Sequence, residues 1–234
     1  MKRSMVGERK SGIRRLKRNR LSERMKQNVQ LHLSQYVFVL VLFIMGLIFG
    51  AIIVNTLSPT QKKELIHYMG FFFQGLDQQT IADPKIAFQH SLGSHLKTLG
   101  LMWILGLSVI GIPFVLLLIF FKGLVIGFTV GFLVNQLSWQ GLWFASLSII
   151  PQNLLVVPAM MMLAVWSMQF ASLLIKNRLI ARRGTIYPQF LSYAMVAVVL
   201  VGVFLVASIL EAYISPWLMR TAIPETVALY IWLI

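Results

Sequence analysis

The chain has no cysteine among its 234 residues. Structural disulfides, thiolate-bound zinc, iron–sulfur clusters and thiol catalysis are therefore excluded. Acid is scarce: seven Asp and Glu stand against 21 Lys and Arg, a formal net charge of +14. The long apolar stretches lack charge almost entirely. Tyr36 to Leu57 carries none, and from Thr98 to Ile175 Lys122 is the only Lys, Arg, Asp or Glu. Charged residues make up 12% of the chain and hydrophobic ones 58%, whereas soluble domains carry about 25% charge. With a mean hydropathy of +0.78, this is the composition of a multi-span membrane protein. An apolar run of about 20 residues, at about 1.5 Å each, matches a hydrocarbon core about 30 Å thick.

The charge that is present sits beside such runs. Residues 2–26 hold eleven Lys and Arg and only two acids, Glu8 and Glu23. A basic excess next to a span marks the cytoplasmic side. It also meets anionic lipid headgroups, at about 1 kcal/mol per basic residue. That reading is preferred to a nucleic-acid arm, so membrane lipids and no nucleic acid are the expected partners. The basic region is too long, and the apolar run after it too extended, for a cleaved signal. The first span is expected to be retained.

Periodicity and breakers predict an all-α fold, a polytopic membrane helix bundle of five transmembrane helices. Span one covers 36–57 and stops at Asn55, Thr56, Ser58 and Pro59. Spans two and three, 98–120 and 123–138, turn at Phe121 and Lys122. The fourth, 143–175, is interrupted by Pro151 and Pro158 and is expected to be kinked or broken. The last covers 191–214 and ends at Ser215-Pro216. Three regions follow: a basic cytoplasmic segment 1–35, a membrane domain 36–216 with an extracytoplasmic loop 58–97, and an interfacial tail 217–234. Asp83-Pro84 reads as a helix N-cap with Pro at the first helical position. With the N-terminus inside, 16 basic residues face the cytoplasm and five face out. The C-terminus is then extracytoplasmic.

Three groups of residues stand out. Gly46 with Gly50, and Gly123, Gly127 and Gly131, form G-x-x-x-G steps, smooth stripes for close helix packing. The same stripes are compatible with a homo-oligomer. Pro151 and Pro158 each remove a backbone donor, and the amides of Gln152 and Asn153 are placed to re-satisfy a freed carbonyl. Leu65, Met69, Phe72, Phe73 and Leu76 recur at helical spacing in the polar loop. They suggest an interfacial or packed helix and a candidate partner-contact surface. His67, His90 and His95 share that loop with Asp77 and Asp83, but in no metal-ligand pattern. No metal or other cofactor is expected. There is no G-x-S-x-G and no intramembrane Asp pair, so an enzyme is not expected. Lys122 can snorkel from its turn. Glu211, near the outer end of the last span, can pair with Arg220 or be hydrated.

Two stretches carry a family resemblance. They are HLKTLGLMWILGLSVIGIPFVLLLIFFKGLVIGFTVGFL, residues 95–133, and IIPQNLLVVPAM, residues 150–161. Together they resemble the stage II sporulation protein M family of integral membrane proteins. In the pattern of that family, His95 and Lys122 stand where Asn is common. Gln152 and Asn153 replace His and Gly, Val156 replaces Glu, and both prolines remain. The resemblance implies a role in engulfment of the forespore. It also implies two peptidoglycan-degrading partners, stage II sporulation proteins D and P, which carry the enzymatic chemistry. The expected function is a non-enzymatic integral membrane scaffold that recruits or positions those partners at the sporulation septum of the mother cell. The alternative is a transporter or permease-like subunit.

Overall fold

The computed structural model describes residues 32–77, 84–176, 187–215 and 217–218, with the side chains of 72–77 left aside. Its elements are α1 (Leu33–Thr56), α2 (Pro59–Asp77), α3 (Pro84–Gly106), α4 (Gly111–Leu174) and α5 (Tyr187–Ile209). A π-helical turn, Leu210–Ile214, continues α5. No strand occurs among the described residues. Two compact units divide the chain, 1–38 and 39–234. Of the first, only the opening of α1 is described, where the N–H groups of Gln35 and Tyr36 donate to the His32 carbonyl at 2.9 and 3.2 Å. The second holds the helix bundle.

Among the described residues, three helical stretches are long and apolar enough to cross a membrane: Leu33–Thr56, Gly111–Leu174 and Tyr187–Ile214. The 64 residues of α4 are not one rod. Ser138, at φ 50° and ψ −129°, is non-helical. On a straight helix Phe128 and Gln152 would stand about 36 Å apart, yet they line one cavity. Gly141 likewise lies against the backbone of Leu133. The chain therefore reverses at Ser138, and α4 is a pair of antiparallel arms.

A second reversal corrects the expected turn at Phe121 and Lys122. It lies at residues 107–110, between α3 and α4. Leu107 N–H donates to Ile104 O at 3.2 Å, Ser108 N–H to Leu105 O at 3.0 Å and Gly111 N–H to Ser108 O at 3.1 Å. Gly111 has no Cβ, which lets its backbone press on that of Leu105. The expected span 98–120 thus straddles a turn. Lys122 sits inside the first arm of α4, where a polar chamber accepts its charge. The reversal at Ser138 falls at the boundary between the expected third and fourth spans, and no break occurs at the prolines. The helix runs on through Pro151 and Pro158, and its one non-helical residue is Ser138.

Between α1 and the bundle, α2 opens with a capping box. Ser58 N–H donates to Gln61 Oε1 at 3.0 Å, and Gln61 N–H donates to Ser58 Oγ at 3.3 Å. Pro59 supplies the first helical position, where its missing N–H costs nothing. α3 begins at Pro84, as the Asp83-Pro84 signal indicates, and runs unbroken to Gly106. It packs against both α4 and α5. Residues 84–97 are thus bundle helix and not loop.

Candidate functional site: a polar chamber in the helix bundle

The polar face of α3 is built by spacing. Ser91, Ser94, His95 and Thr98 stand at positions i, i+3, i+4 and i+7, one side of the helix. Facing them are Phe204 of α5 and Glu211 of the π-helical turn that continues it. The Phe204 and His95 rings lie 5.5 Å apart. Glu211 Oε2 accepts from Ser91 Oγ at 2.6 Å, and His95 Nε2 is placed to donate to the same oxygen at 3.1 Å. Lys122 from the first arm of α4 and Gln152 from the second complete the lining of a cavity of about 210 Å³. A carboxylate, an imidazole, an ammonium and an amide thus meet among apolar helices. Ionisable groups in such a setting face protein or a water-filled cavity, never lipid.

A second polar node lies towards the other end of the same three helices. Tyr193 on α5 is 1% exposed. Its hydroxyl donates to the Trp103 carbonyl of α3 at 3.2 Å and lies 2.8 Å from Ser167 Oγ of α4. Its ring stacks on Phe170 at 5.4 Å. Gly106 leaves room for this junction, since a Cβ there would strike both Ser167 and Tyr193. Tyr193 pairs with Trp103, and Glu211 with Ser91, so α5 runs antiparallel to α3.

The glycines flagged in the sequence meet one another's helices. Gly46 and Gly50 of α1 lie on the backbone of Phe120, Leu124 and Phe128, while Gly123 and Gly127 of α4 lie on that of Phe43 and Leu47. A Cβ on Gly131 would come within 2.9 Å of Ala51 Cα. Residue numbers rise together along the seam, so α1 and the first arm of α4 run parallel. Among the proline-associated residues, Asn153 Nδ2 donates to the Ile149 carbonyl at 2.8 Å. The carbonyl that Pro151 frees is that of Leu147, four residues before it, so Asn153 acts next to it. Gln152 lies between the chamber and the cavity beside α2, lining both, and its Oε1 is buried with no hydrogen-bond partner among the described residues. Pro158 lies along an apolar groove that also holds Asn153.

On α2, Leu65 and Met69 line a cavity with Phe128, Phe132 and Phe144 of α4. Met69 packs on the cluster of Leu133, Phe144 and Ala145. The opposite face presents Tyr68 and Phe71, which are 70% and 59% exposed. Phe72, Phe73 and Leu76 have side chains outside the described residues, as has Arg220, the partner expected for Glu211. His67 meets the Phe71 ring at 4.5 Å, and His90 lies at the chamber. No group of three His, Asp or Glu that could hold a metal occurs among the described residues.

The chamber was hidden in the sequence because its members lie far apart along the chain. The one local signal was the polar stripe Ser91, Ser94, His95 and Thr98 on a helix entering the membrane domain. Of the positions at which this chain departs from the family pattern, His95, Lys122, Gln152 and Val156 line the chamber, and Asn153 lies along the apolar groove. No curated protein and no solved structure matches the chain. The family model described as Stage II sporulation protein M matches residues 39–216. The matched region holds the glycine seam, both polar nodes and the reversal at Ser138, and the chain belongs to the stage II sporulation protein M family.

Proposed function

We propose that this membrane protein of a sporulation family is a non-enzymatic scaffold. It recruits or positions peptidoglycan-degrading partners at the sporulation septum for engulfment of the forespore. The observation that carries the reading is the two-faced helix α2. Leu65 and Met69 fix it to the bundle, while Tyr68 and Phe71 stand exposed on the other side. Exposed aromatics on a helix held by apolar contacts are the residue types that anchor protein partners. In this reading the chain crosses five times with the N-terminus inside, which the basic excess of residues 2–26 supports, and α2 lies on the cell-wall side, where such enzymes work. The partners are those the family resemblance implies, stage II sporulation proteins D and P. Catalytic chemistry then resides in them.

Co-purification of both partners with the Tyr68→Ala/Phe71→Ala variant tests this reading. Capture is expected to fall at least tenfold while the variant stays folded in the membrane. Undiminished capture sinks it. Point changes are preferable to removing residues 58–97, because that deletion takes Ser91 and His95 out of the bundle.

A second reading, a transporter or permease-like subunit, is favoured by the ionisable chamber that reaches Gln152. Intramembrane charged groups commonly mark solute or ion pathways. Solute uptake by proteoliposomes containing this chain alone would favour it over the scaffold.

A further inference from the structure

The chamber holds polar groups with hydrogen-bonding capacity to spare, and the Lys122 ammonium and Glu211 carboxylate act on each other through space. Lys122 makes no hydrogen bond to any described residue, and the ion pair found among those residues joins His95 to Glu211. Both bonds to Glu211 fall on Oε2, which leaves Oε1 open. Gln152 Oε1 is buried and unpartnered. The Lys122 ammonium and the free Glu211 oxygen therefore border a void of about 210 Å³, which Gln152 also lines. Charge in such surroundings is expensive unless it is paired and hydrogen-bonded.

The signs of these groups select the occupant. A simple anion drawn to Lys122 would be repelled by Glu211. A simple cation drawn to Glu211 would be repelled by Lys122. A dipolar solute satisfies both, with its negative end on the ammonium and its donor end on Glu211 Oε1. The void suits a small molecule, and His90, an exposed residue, stands at its edge. From these features we infer that the chamber is a binding site for a small zwitterion of the amino-acid type. Carboxylate binds at Lys122 and ammonium at Glu211. This site is independent of the partner surface on α2.

Titration calorimetry on the full chain in detergent micelles tests it, with glycine, acetate and methylammonium as probes. Glycine is expected to bind saturably, and each half-molecule at least tenfold more weakly, since each has only one charged contact. Lys122→Met suits an apolar helix and so preserves the fold. It is expected to weaken glycine binding at least tenfold, as is Glu211→Gln. The Tyr68→Ala/Phe71→Ala variant should bind glycine normally, which separates this site from the scaffold reading. Absence of saturable glycine binding overturns the assignment. So does binding no tighter than that of acetate or methylammonium, or binding unchanged in both chamber variants.

Discussion

Ser91 Oγ donates to Glu211 Oε2 at 2.6 Å, a bond that joins α3 to the turn after α5 across 120 residues of sequence. His95 approaches the same oxygen, so one carboxylate atom ties two side chains of α3. Glu211→Ala would leave both without their acceptor. The expected cost is about 1–3 kcal/mol, the penalty for a part-buried donor left unsatisfied. Glu211→Gln keeps a carbonyl oxygen there and should lose less. Denaturant unfolding in mixed micelles measures both, and an alanine variant as stable as the parent would contradict the arrangement.

The parallel seam of α1 and α4 can be trapped covalently. An ideal Cβ on Gly131 lies 3.3 Å from Ala51 Cβ, slightly inside the usual disulfide spacing of about 3.5–4.5 Å. Ala51→Cys with Gly131→Cys should oxidise to an intramolecular bridge in a chain that has no other thiol. The bridge would appear as a mobility shift reversed by reductant. Cys at Leu40, near the opposite end of α1, should not bridge to Gly131→Cys.

Tyr193 ties α3, α4 and α5 through one hydroxyl. Tyr193→Phe keeps the ring stack and removes that hydroxyl, for an expected loss of about 1 kcal/mol. Combined with Ser167→Ala, the losses should fall short of additive, because the two side chains share one contact. A double-mutant cycle on unfolding free energies reads the coupling. Strict additivity would mean the pair does not interact.

Ser138 holds a positive φ that non-glycine residues rarely adopt. Ser138→Gly should relieve this strain and raise stability by about 1 kcal/mol. Ser138→Val, branched at Cβ, should lower it. Thermal unfolding of the two variants side by side gives the ordering.

Much of the helical framework was legible, for reasons that differ by element. α1 is apolar on every side and ends at Ser58-Pro59, so its limits follow from hydropathy and turn chemistry. The glycine steps were legible because small residues four apart have one use on an apolar helix. The turn after α3 was not, because Lys122-Gly123 looked like a break while Ser108 and Gly111 made one. Lys122 is tolerated mid-helix only through what faces it, and that is a property of three other segments. α3 falls outside the apolar spans for the same reason: its histidine and serines serve the chamber. A window along one strand of sequence registers such polarity as loop. The turn that begins at Ser138 was legible from Gly141 and its flanking tryptophans, and Gln152 was recognised as unusual, but what surrounds Gln152 depended on residues of other helices.

The glycine seam has a consequence for alignment along the helix axis. Three glycines on α4 face two on α1, all at four-residue intervals, so the smooth track is one step longer than its rider. A slide of about 6 Å would again set small residue against backbone. Glycines grant proximity, and they are indifferent to position along the track. Alignment is therefore decided by bulk beside the track. Phe49 meets Phe120 with ring centroids 6.1 Å apart, and this pair acts as the detent that selects one stop from two.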